Sequence, residues 1–161
     1  MLAVVMASVA VSACGGSGNT AGGPTTGGTS LTKAEYIAKA DALCKSGDNA
    51  GSALKDQYQQ LIDGGVSKYP AAAKLIFKVV DLERQTLAQL RALPKPSGDE
   101  AQLDAIWTLS GQGVDNIKTM ATDLAAGSMS ALQSAEQKGN ALKAEYKQKA
   151  EAFGFKYCGV H

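Results

Sequence analysis

Residues 97–127 read SGDEAQLDAIWTLSGQGVDNIKTMATDLAAG, a segment with the pattern of one long amphipathic helix. Ser97 and Glu100 have the spacing of an N-terminal capping box, and Gly127 is a residue typical of a helix end. Between them, apolar residues recur every three or four positions, which places them on one helical face. These residues are Leu103, Ile106, Trp107, Val114, Ile117, Met120, Ala121 and Leu124. Because a single helix cannot bury such a face alone, the segment predicts packing against further helices.

The same periodicity continues on both sides of this segment, from residue 31 to the end of the chain. Thr32 and Glu35 form a second predicted capping box, and we find no run of alternating hydrophobicity that would indicate a strand. Glycine and proline residues divide the region into four predicted helices, at residues 32–63, 70–93, 97–126 and 130–153. Four amphipathic helices joined by short loops predict an all-α fold, an antiparallel four-helix bundle over residues 31–161.

Glycines fall near the middle of three of these predicted helices. Gly47 and Gly51 lie in the first helix, Gly113 in the third and Gly139 in the fourth. A glycine inside a helix costs roughly 0.5–1 kcal/mol relative to alanine, so their grouping at one level needs a reason. Three explanations stay open: a waist where backbones approach closely, a mid-bundle cavity, or a break in the first helix with the other glycines tolerated.

The N-terminal residues 2–11, LAVVMASVAV, form an uncharged and largely apolar run of ten residues. Because a membrane-spanning helix needs about 20 such residues, this run is too short to cross a bilayer. It has the length of the apolar core of a signal peptide. Met1 is not followed by the Lys or Arg that normally opens a signal peptide, so we expect the true start upstream of Met1.

The residues that follow, VSAC at positions 11–14, resemble the lipobox of bacterial lipoproteins. The resemblance implies that residues 1–13 are removed as a signal peptide and that the Cys14 thiol carries a diacylglycerol. Two acyl chains hold a protein stably at a membrane, so the membrane is the expected partner of Cys14. The alternative is a buried helix over residues 2–13 with Cys14 as a core thiol, which the glycines after Cys14 disfavour.

Residues 15–30, GGSGNTAGGPTTGGTS, contain seven glycines, six Ser or Thr and no charge. Such a composition cannot bury enough apolar surface to offset the entropy of ordering, so residues 14–30 are predicted to form a flexible tether behind the lipidated Cys14. As a coil, the tether has an r.m.s. length of roughly 20–24 Å. Lipid, tether and bundle together predict a protein anchored in the cell membrane on its extracytoplasmic face.

Two cysteines remain once Cys14 is assigned to lipid, namely Cys44 and Cys158. Export places them in a compartment where a disulfide persists. In an antiparallel bundle the end of the fourth helix lies beside the start of the first, so the two cysteines can meet. We therefore predict a Cys44–Cys158 disulfide, with two separate buried thiols as the alternative.

Three short segments of the domain resemble one group of bacterial proteins. They are residues 33–44, KAEYIAKADALC; residues 90–96, LRALPKP; and residues 154–158, GFKYC. These segments are similar to small secreted helical proteins and lipoproteins of actinobacteria. The likeness covers both ends of the domain and one helix joint. Because that group has no assigned activity, the resemblance implies architecture and location but no chemistry.

The composition argues against several classes of function. Sixteen Lys and Arg against fifteen Asp and Glu give a net charge of +1, which argues against a nucleic-acid partner. The one histidine is His161, so a histidine-based metal site or a catalytic imidazole is not expected. No GxSxG, P-loop, HExxH or CxxC motif occurs. We therefore predict no catalytic residues, no metal ligands and no cofactor.

Charged and aromatic residues of the domain are interpreted as structural. Asp81 and Glu83 lie too close together in sequence to face one site. Trp107 and Tyr146 lie on apolar helix faces and are expected in the core. Opposite charges four positions apart are interpreted as exposed ion pairs, namely Glu35/Lys39, Asp41/Lys45 and Glu145/Lys149.

The leading functional hypothesis is a non-enzymatic, lipid-anchored helical module that binds a protein or a small apolar ligand in the cell envelope. It rests on the anchor, the tether and the bundle in a sequence without catalytic motifs. One alternative is an enzyme, or an accessory subunit of one, with a site of carboxylates and hydroxyls that no motif reveals. Another is an inert surface or spacer protein. Close carboxylates in a cleft would favour the enzyme, and an open apolar groove would favour binding.

Overall fold

The structure, a computed structural model, describes residues 30–159 and contains four α-helices and no strand in that range. The helices are α1, Lys33–Asp63; α2, Tyr69–Ala92; α3, Glu100–Ala125; and α4, Met129–Phe153. A 3-10 turn at Val66–Lys68 connects α1 to α2. The predicted all-α four-helix bundle is confirmed. The predicted signal peptide at residues 1–13, the lipidation site Cys14 and the tether up to residue 29 lie outside the described residues.

The first capping box forms as the sequence predicts. The hydroxyl oxygen of Thr32 accepts a hydrogen bond from the backbone N–H of Glu35 at 3.3 Å. In return the Glu35 carboxylate accepts one from the backbone N–H of Thr32 at 2.9 Å. From this cap, α1 runs without interruption through Gly47 and Gly51 to Asp63. A break in the first helix at these two glycines is therefore ruled out.

The second predicted capping box, at Ser97 and Glu100, is wrong. Helix α3 begins at Glu100, and its N-cap residue Asp99 makes no side-chain capping bond. Gly98 has a φ of +88°, a left-handed conformation that turns the chain and keeps Ser97 away from the helix N-terminus. The Glu100 carboxylate instead accepts the backbone N–H of Gly98 at 2.8 Å. Helices α2 and α4 each begin one residue before the predicted position.

Consecutive helices pack side by side and antiparallel. Near the end of the bundle where α1 begins, the Tyr36 hydroxyl of α1 donates to the Leu90 carbonyl of α2 at 3.4 Å. Halfway along, the Asn116 amide of α3 donates to the Ala135 carbonyl of α4 at 2.9 Å. Helix α1 packs on α2, α2 on α3 and α3 on α4, but no Cα of α1 lies within 8 Å of a Cα of α4. The backbones of the first and last helices are therefore apart, and their side chains meet near Tyr36, whose ring centroid lies 6.3 Å from that of Phe153.

Many of the buried side chains form two separate clusters, one towards each end of the bundle, and others such as Val80, Leu109 and Val114 lie outside both. The tail-end core surrounds the start of α1 and the end of α4 and consists of Tyr36, Ala40, Leu87, Leu90, Leu103, Ile106, Trp107, Ala150, Phe153, Phe155 and Cys158. The loop-end core lies beside the α1–α2 and α3–α4 connections and consists of Ala72, Ala73 and Leu124, with Tyr58, Leu61, Ile62, Tyr69, Ile76 and Leu132 packed against them. The level between these two cores contains the four helix-interior glycines Gly47, Gly51, Gly113 and Gly139.

The tail-end core contains a buried polar chain. The indole N–H of Trp107, which is 1% exposed as its predicted core position requires, donates to the Tyr36 hydroxyl at 2.9 Å. Burial raises the pKa of Tyr36, and the hydrogen bond from Trp107 opposes that shift. The rings of Phe153 and Phe155 lie with centroids 4.9 Å apart beside this pair. Tyrosine and tryptophan are thus buried with their polar atoms satisfied, as a close-packed core requires.

The chain after α4 folds back across the end of α1. Gly154 ends α4 with a φ of +111°, and the tail then reaches the side of α1. The Asp41 carboxylate accepts the backbone N–H groups of Lys156, Tyr157 and Cys158 at 2.8, 2.9 and 2.9 Å. The structure contains the expected disulfide, which joins Cys158 to α1 at Cys44 with Cα atoms 5.4 Å apart.

Candidate functional site

A groove crosses the middle of the bundle on the side where α1 and α4 are apart. Three adjoining clefts form it, with volumes of about 140, 580 and 480 Å³. The central cleft is bordered by all four helices and the tail, the second lies mainly between α3 and α4, and the third lies between α1 and α2. Glu83 of α2 lines all three clefts and marks their junction. We call the three clefts together the mid-bundle groove.

The two outer clefts have apolar walls. The α3–α4 cleft is lined by Leu109, Val114, Ile117, Met120 and Leu142, together with polar residues at its rim. The α1–α2 cleft is lined by Leu54, Tyr58, Leu75, Ile76 and Val79. Both volumes fall within the range of roughly 300–1,000 Å³ that is usual for small-molecule sites. The outer clefts can therefore each accept the apolar body of a small ligand.

All four glycines that the sequence places at this level line the groove, in two different ways. A Cβ atom at Gly47 would lie 2.7 Å from the Thr86 hydroxyl oxygen, and one at Gly139 would lie 2.8 Å from the Asn116 amide nitrogen. These two glycines permit close approach between neighbouring helices. A Cβ at Gly51 or Gly113 would meet no atom within 4 Å, so these two leave space in the outer clefts. The waist and the cavity thus occur side by side.

Glu83 gives the centre of the groove an acidic character. Its carboxylate is half-buried, and among residues 30–159 no Lys or Arg nitrogen lies within the 4.0 Å of an ion pair with it. Burial raises the pKa of Glu83, and the nearby charge of Asp48 raises it further. Lys143 lines the same central cleft from α4. Two carboxylates therefore border this cleft beside one ammonium group.

Two tyrosines complete the central cleft. Burial strongly raises the pKa of Tyr146, and the charges of Glu83, Asp48 and Asp41 add to the rise. The pKa of Tyr157 is raised by burial and by Asp48, to which its hydroxyl is hydrogen-bonded. Both hydroxyls therefore stay neutral at physiological pH. The centre of the groove combines carboxylates, phenolic hydroxyls and aromatic rings, a mixture suited to hydrogen bonding and to recognition of cations.

The structure refines the interpretation of two of these residues. As their spacing predicts, Asp81 and Glu83 do not face one site, but Glu83 lies in the groove whereas Asp81 is exposed. Tyr146 packs against the tail-end core as a half-buried side chain, and it also lines the central cleft of the groove. The pattern that could have revealed Glu83 is its spacing from Val80 and Leu87, which are buried residues three and four positions away on α2. A carboxylate at a position of an apolar stripe faces the interior.

Two of the three predicted exposed pairs do not come within ion-pair distance, although the charge of Lys39 adds to the lowering of the Glu35 pKa by Thr32. Glu35 binds Thr32 in the capping box, and Asp41 binds the backbone of the tail. Only Glu145 is paired as expected, with Lys149 at 3.8 Å. Asp41 was not recognisable from the sequence, because its partners lie more than a hundred residues away in the chain.

In residues 30–159 no three His, Cys, Asp or Glu side chains are grouped closely enough to hold a metal ion. None of the helices in this range has the combined length and apolar character that would let it cross a membrane.

Comparison of the chain with protein-family models, with curated proteins and with solved structures gives no match in any of the three. The mid-bundle groove is therefore the feature of this chain that bears on function.

Proposed function

We propose that this protein is a non-enzymatic binding module of the cell envelope that takes a small ligand with an apolar body in the mid-bundle groove. The observation that carries the proposal is the open side of the bundle, where the α3–α4 cleft offers a volume of about 580 Å³ between apolar walls. Clefts between the helices of a bundle are a usual place for ligand sites. A bundle optimised for stability alone would close this gap with large side chains.

The location is part of the same proposal. The protein is held by a lipid on Cys14 at the extracytoplasmic face of the cell membrane, and the tether carries the bundle clear of the lipid headgroups. The lipobox-like sequence at residues 11–14 supports the anchor. The Cys44–Cys158 disulfide supports a location outside the cytoplasm, where such bonds persist.

The binding proposal is tested by filling the groove. Gly113→Leu places a side chain in the α3–α4 cleft, where a Cβ meets nothing within 4 Å, so the fold should tolerate it. The protein is purified from envelope membranes, and native mass spectrometry measures the bound small molecules. We expect the wild type to retain a ligand and Gly113→Leu to lose it. Ala105→Leu, which places the same leucine side chain on the exposed side of α3, is the matched control and should retain the ligand.

The anchor is tested independently of the groove. Cells that produce the protein are labelled with a palmitate analogue, and the labelled lipoproteins are separated by gel electrophoresis. We expect the wild type to carry the label and Cys14→Ala to lose it. Labelling that survives in Cys14→Ala would contradict the lipid assignment and leave the groove proposal untouched.

A second candidate is an enzyme, or an accessory subunit of one, that uses the carboxylates and hydroxyls of the groove. The observation that favours it is the position of Glu83 beside Asp48 and Tyr146, with a Glu83 pKa raised towards the range useful for a general acid or base. Incubation of an envelope extract with the wild type and with Glu83→Gln discriminates between the candidates. A product that accumulates only with the wild type supports the enzyme, and binding without turnover supports the module. If neither binding nor turnover is observed, the result supports an inert spacer.

A further inference from the structure

The charge at the centre of the groove points to a particular class of ligand. Glu83 lies at the junction of the three clefts, half-buried and without a cation at ion-pair distance among the described residues. Removing a carboxylate from water without a positive partner is unfavourable. A cationic group on a ligand would supply that partner. The arrangement therefore favours a positively charged ligand over a neutral or negative one.

The other residues of the central cleft also favour a positively charged ligand. Asp48 and Glu83 bring two negative charges to its border, and Lys143 brings one positive charge, which leaves one negative charge unbalanced. The rings of Tyr146 and Tyr157 line the same cleft. Aromatic faces attract ammonium groups, and carboxylates accept their N–H donors. A primary ammonium group would find both kinds of partner here.

The apolar part of the ligand has its place next to this centre. The α3–α4 cleft shares Glu83, Lys143 and Tyr146 with the central cleft, so the two are continuous. Its walls include Ile117 and Met120, and methionine adapts its shape to varied apolar partners. An ammonium group at Glu83 would let an attached chain extend directly into this cleft.

We infer that the groove binds an amphiphile that carries a protonated amine, with the amine against Glu83 and Asp48 and the apolar chain in the α3–α4 cleft. The inference rests on the proposed function and adds the chemical class of the ligand. It also assigns Glu83 as the residue that sets specificity for charge.

The test compares three probes of equal chain length that differ only in the head group: decylammonium, decanol and decanoate. Isothermal titration calorimetry at neutral pH, below the concentrations at which the probes aggregate, measures their dissociation constants for the wild-type protein. We expect decylammonium to bind at least about tenfold more tightly than decanol, since a charge-assisted contact contributes that much or more. Decanoate should bind most weakly.

Variants locate the charge preference. Glu83→Gln should weaken binding of decylammonium about tenfold and leave the affinity for decanol unchanged. Asp81→Asn removes a carboxylate from the exposed side of the same helix and should leave all three affinities unchanged. Circular dichroism checks that each variant is folded. The order of the three dissociation constants for the wild-type protein tests the inference without any variant.

The other outcomes separate the two proposals. Equal affinity for amine and alcohol, a preference for decanoate, or an unchanged amine affinity in Glu83→Gln would overturn the amine inference. In those cases, loss of probe binding in Gly113→Leu would show that the wild-type groove binds apolar chains. The proposed function would then stand. If no probe binds and no ligand is retained from the envelope, the amine inference and the proposed function both fail.

Discussion

The tail-end core and the mid-bundle groove are built from the same helices in opposite ways. At the tail end, large side chains such as Trp107, Tyr36 and Phe153 are almost fully buried and hydrogen-bonded where they are polar. Across the groove, helix-interior glycines line the clefts, and the half-buried Glu83 has no Lys or Arg at ion-pair distance within residues 30–159. The first region packs its large side chains closely, whereas the second leaves open space beside buried residues such as Val114. This contrast indicates that stability is concentrated at the tail end and that the middle is kept open for binding.

The tail contributes residues to both regions, with Phe155 and Cys158 in the tail-end core. Its disulfide and the Asp41 contacts hold it against α1, while Tyr157 and Gly159 border the central cleft. A Cβ at Gly159 would lie 2.9 Å from the Tyr146 ring, so the tail packs directly against the groove wall. No Cα of α4 comes within 8 Å of α1, so the disulfide of the tail adds a covalent tie to the side-chain contacts between these helices, such as Lys33 over the Phe153 ring. Changes to the tail should therefore weaken the whole bundle more than changes within the groove.

The largest effect is expected from loss of the disulfide. Cys44 and Cys158 are 114 residues apart in sequence, and in the chain-entropy model a loop of this length stabilises the fold by about 5 kcal/mol. The double variant Cys44→Ser/Cys158→Ser should lose most of this free energy of unfolding, measured by guanidinium denaturation. Reduced wild-type protein serves as the control and should match the double variant. If both are as stable as the oxidised protein, the tail is not the link that stabilises the bundle.

A smaller loss is expected from Asp41→Ala. This change leaves three backbone N–H groups of the tail without their acceptor and should lower the free energy of unfolding by about 2 kcal/mol. Asp41→Asn keeps one carbonyl acceptor and should lose less. Asp56→Ala, at an exposed position of the same helix, controls for helix charge and should change stability little. Equal stability of Asp41→Ala and Asp56→Ala would show that the carboxylate does not hold the tail.

Opposite effects of about 1 kcal/mol or less are expected at the two glycines of α1. Gly51→Ala meets no atom within 4 Å and should stabilise the protein by roughly 0.5–1 kcal/mol through helix propensity. Gly47→Ala places its Cβ 2.7 Å from the Thr86 hydroxyl oxygen and should destabilise it. Thermal unfolding measures both, and adding Thr86→Ala to Gly47→Ala should restore stability. A gain in both single variants would mean that α1 and α2 do not approach closely at Gly47.

The smallest effect concerns the pH dependence contributed by Glu83. Because burial and Asp48 raise its folded pKa above the ordinary 4.5, the folded state binds this proton more tightly than the unfolded state. The contribution of Glu83 to stability is therefore fully present below pH 4.5 and is lost as pH rises through the raised pKa. Glu83→Gln has no carboxyl group to deprotonate and does not lose this free energy of unfolding. Its stability relative to the wild type should therefore increase as pH rises. Urea unfolding at a series of pH values measures the difference.

Glu35 provides a comparison of opposite sign. Hydrogen bonds with Thr32 lower the pKa of Glu35, so its contribution is present above pH 4.5 and is lost as pH falls through the lowered pKa. Glu35→Gln should therefore lose stability relative to the wild type as pH rises through that range. If Glu83→Gln follows the same direction as Glu35→Gln, the Glu83 carboxylate is not desolvated in the groove.

Local sequence patterns predicted most of the helical architecture and part of the site. Apolar periodicity predicted the four helices, and Thr32 and Glu35 predicted the first cap, because these signals act over a few residues. The failed cap at Ser97 shows the limit of such patterns, since the left-handed turn at Gly98 decided where α3 begins. The grouped glycines indicated unusual packing at the middle of the bundle. They did not indicate which of them allow close contact between helices and which leave space.

The sequence by itself determined a helical bundle, the cysteine pair available for a disulfide and the level at which packing is weak. Those properties follow from residue types and their spacing along single helices. Only the tertiary structure decided that α1 and α4 stay apart, that Asp41 holds the tail and that Glu83 lies at the junction of three clefts. These facts depend on contacts between residues far apart in the chain. The orientation of one helix relative to another sets them, and no local pattern encodes it.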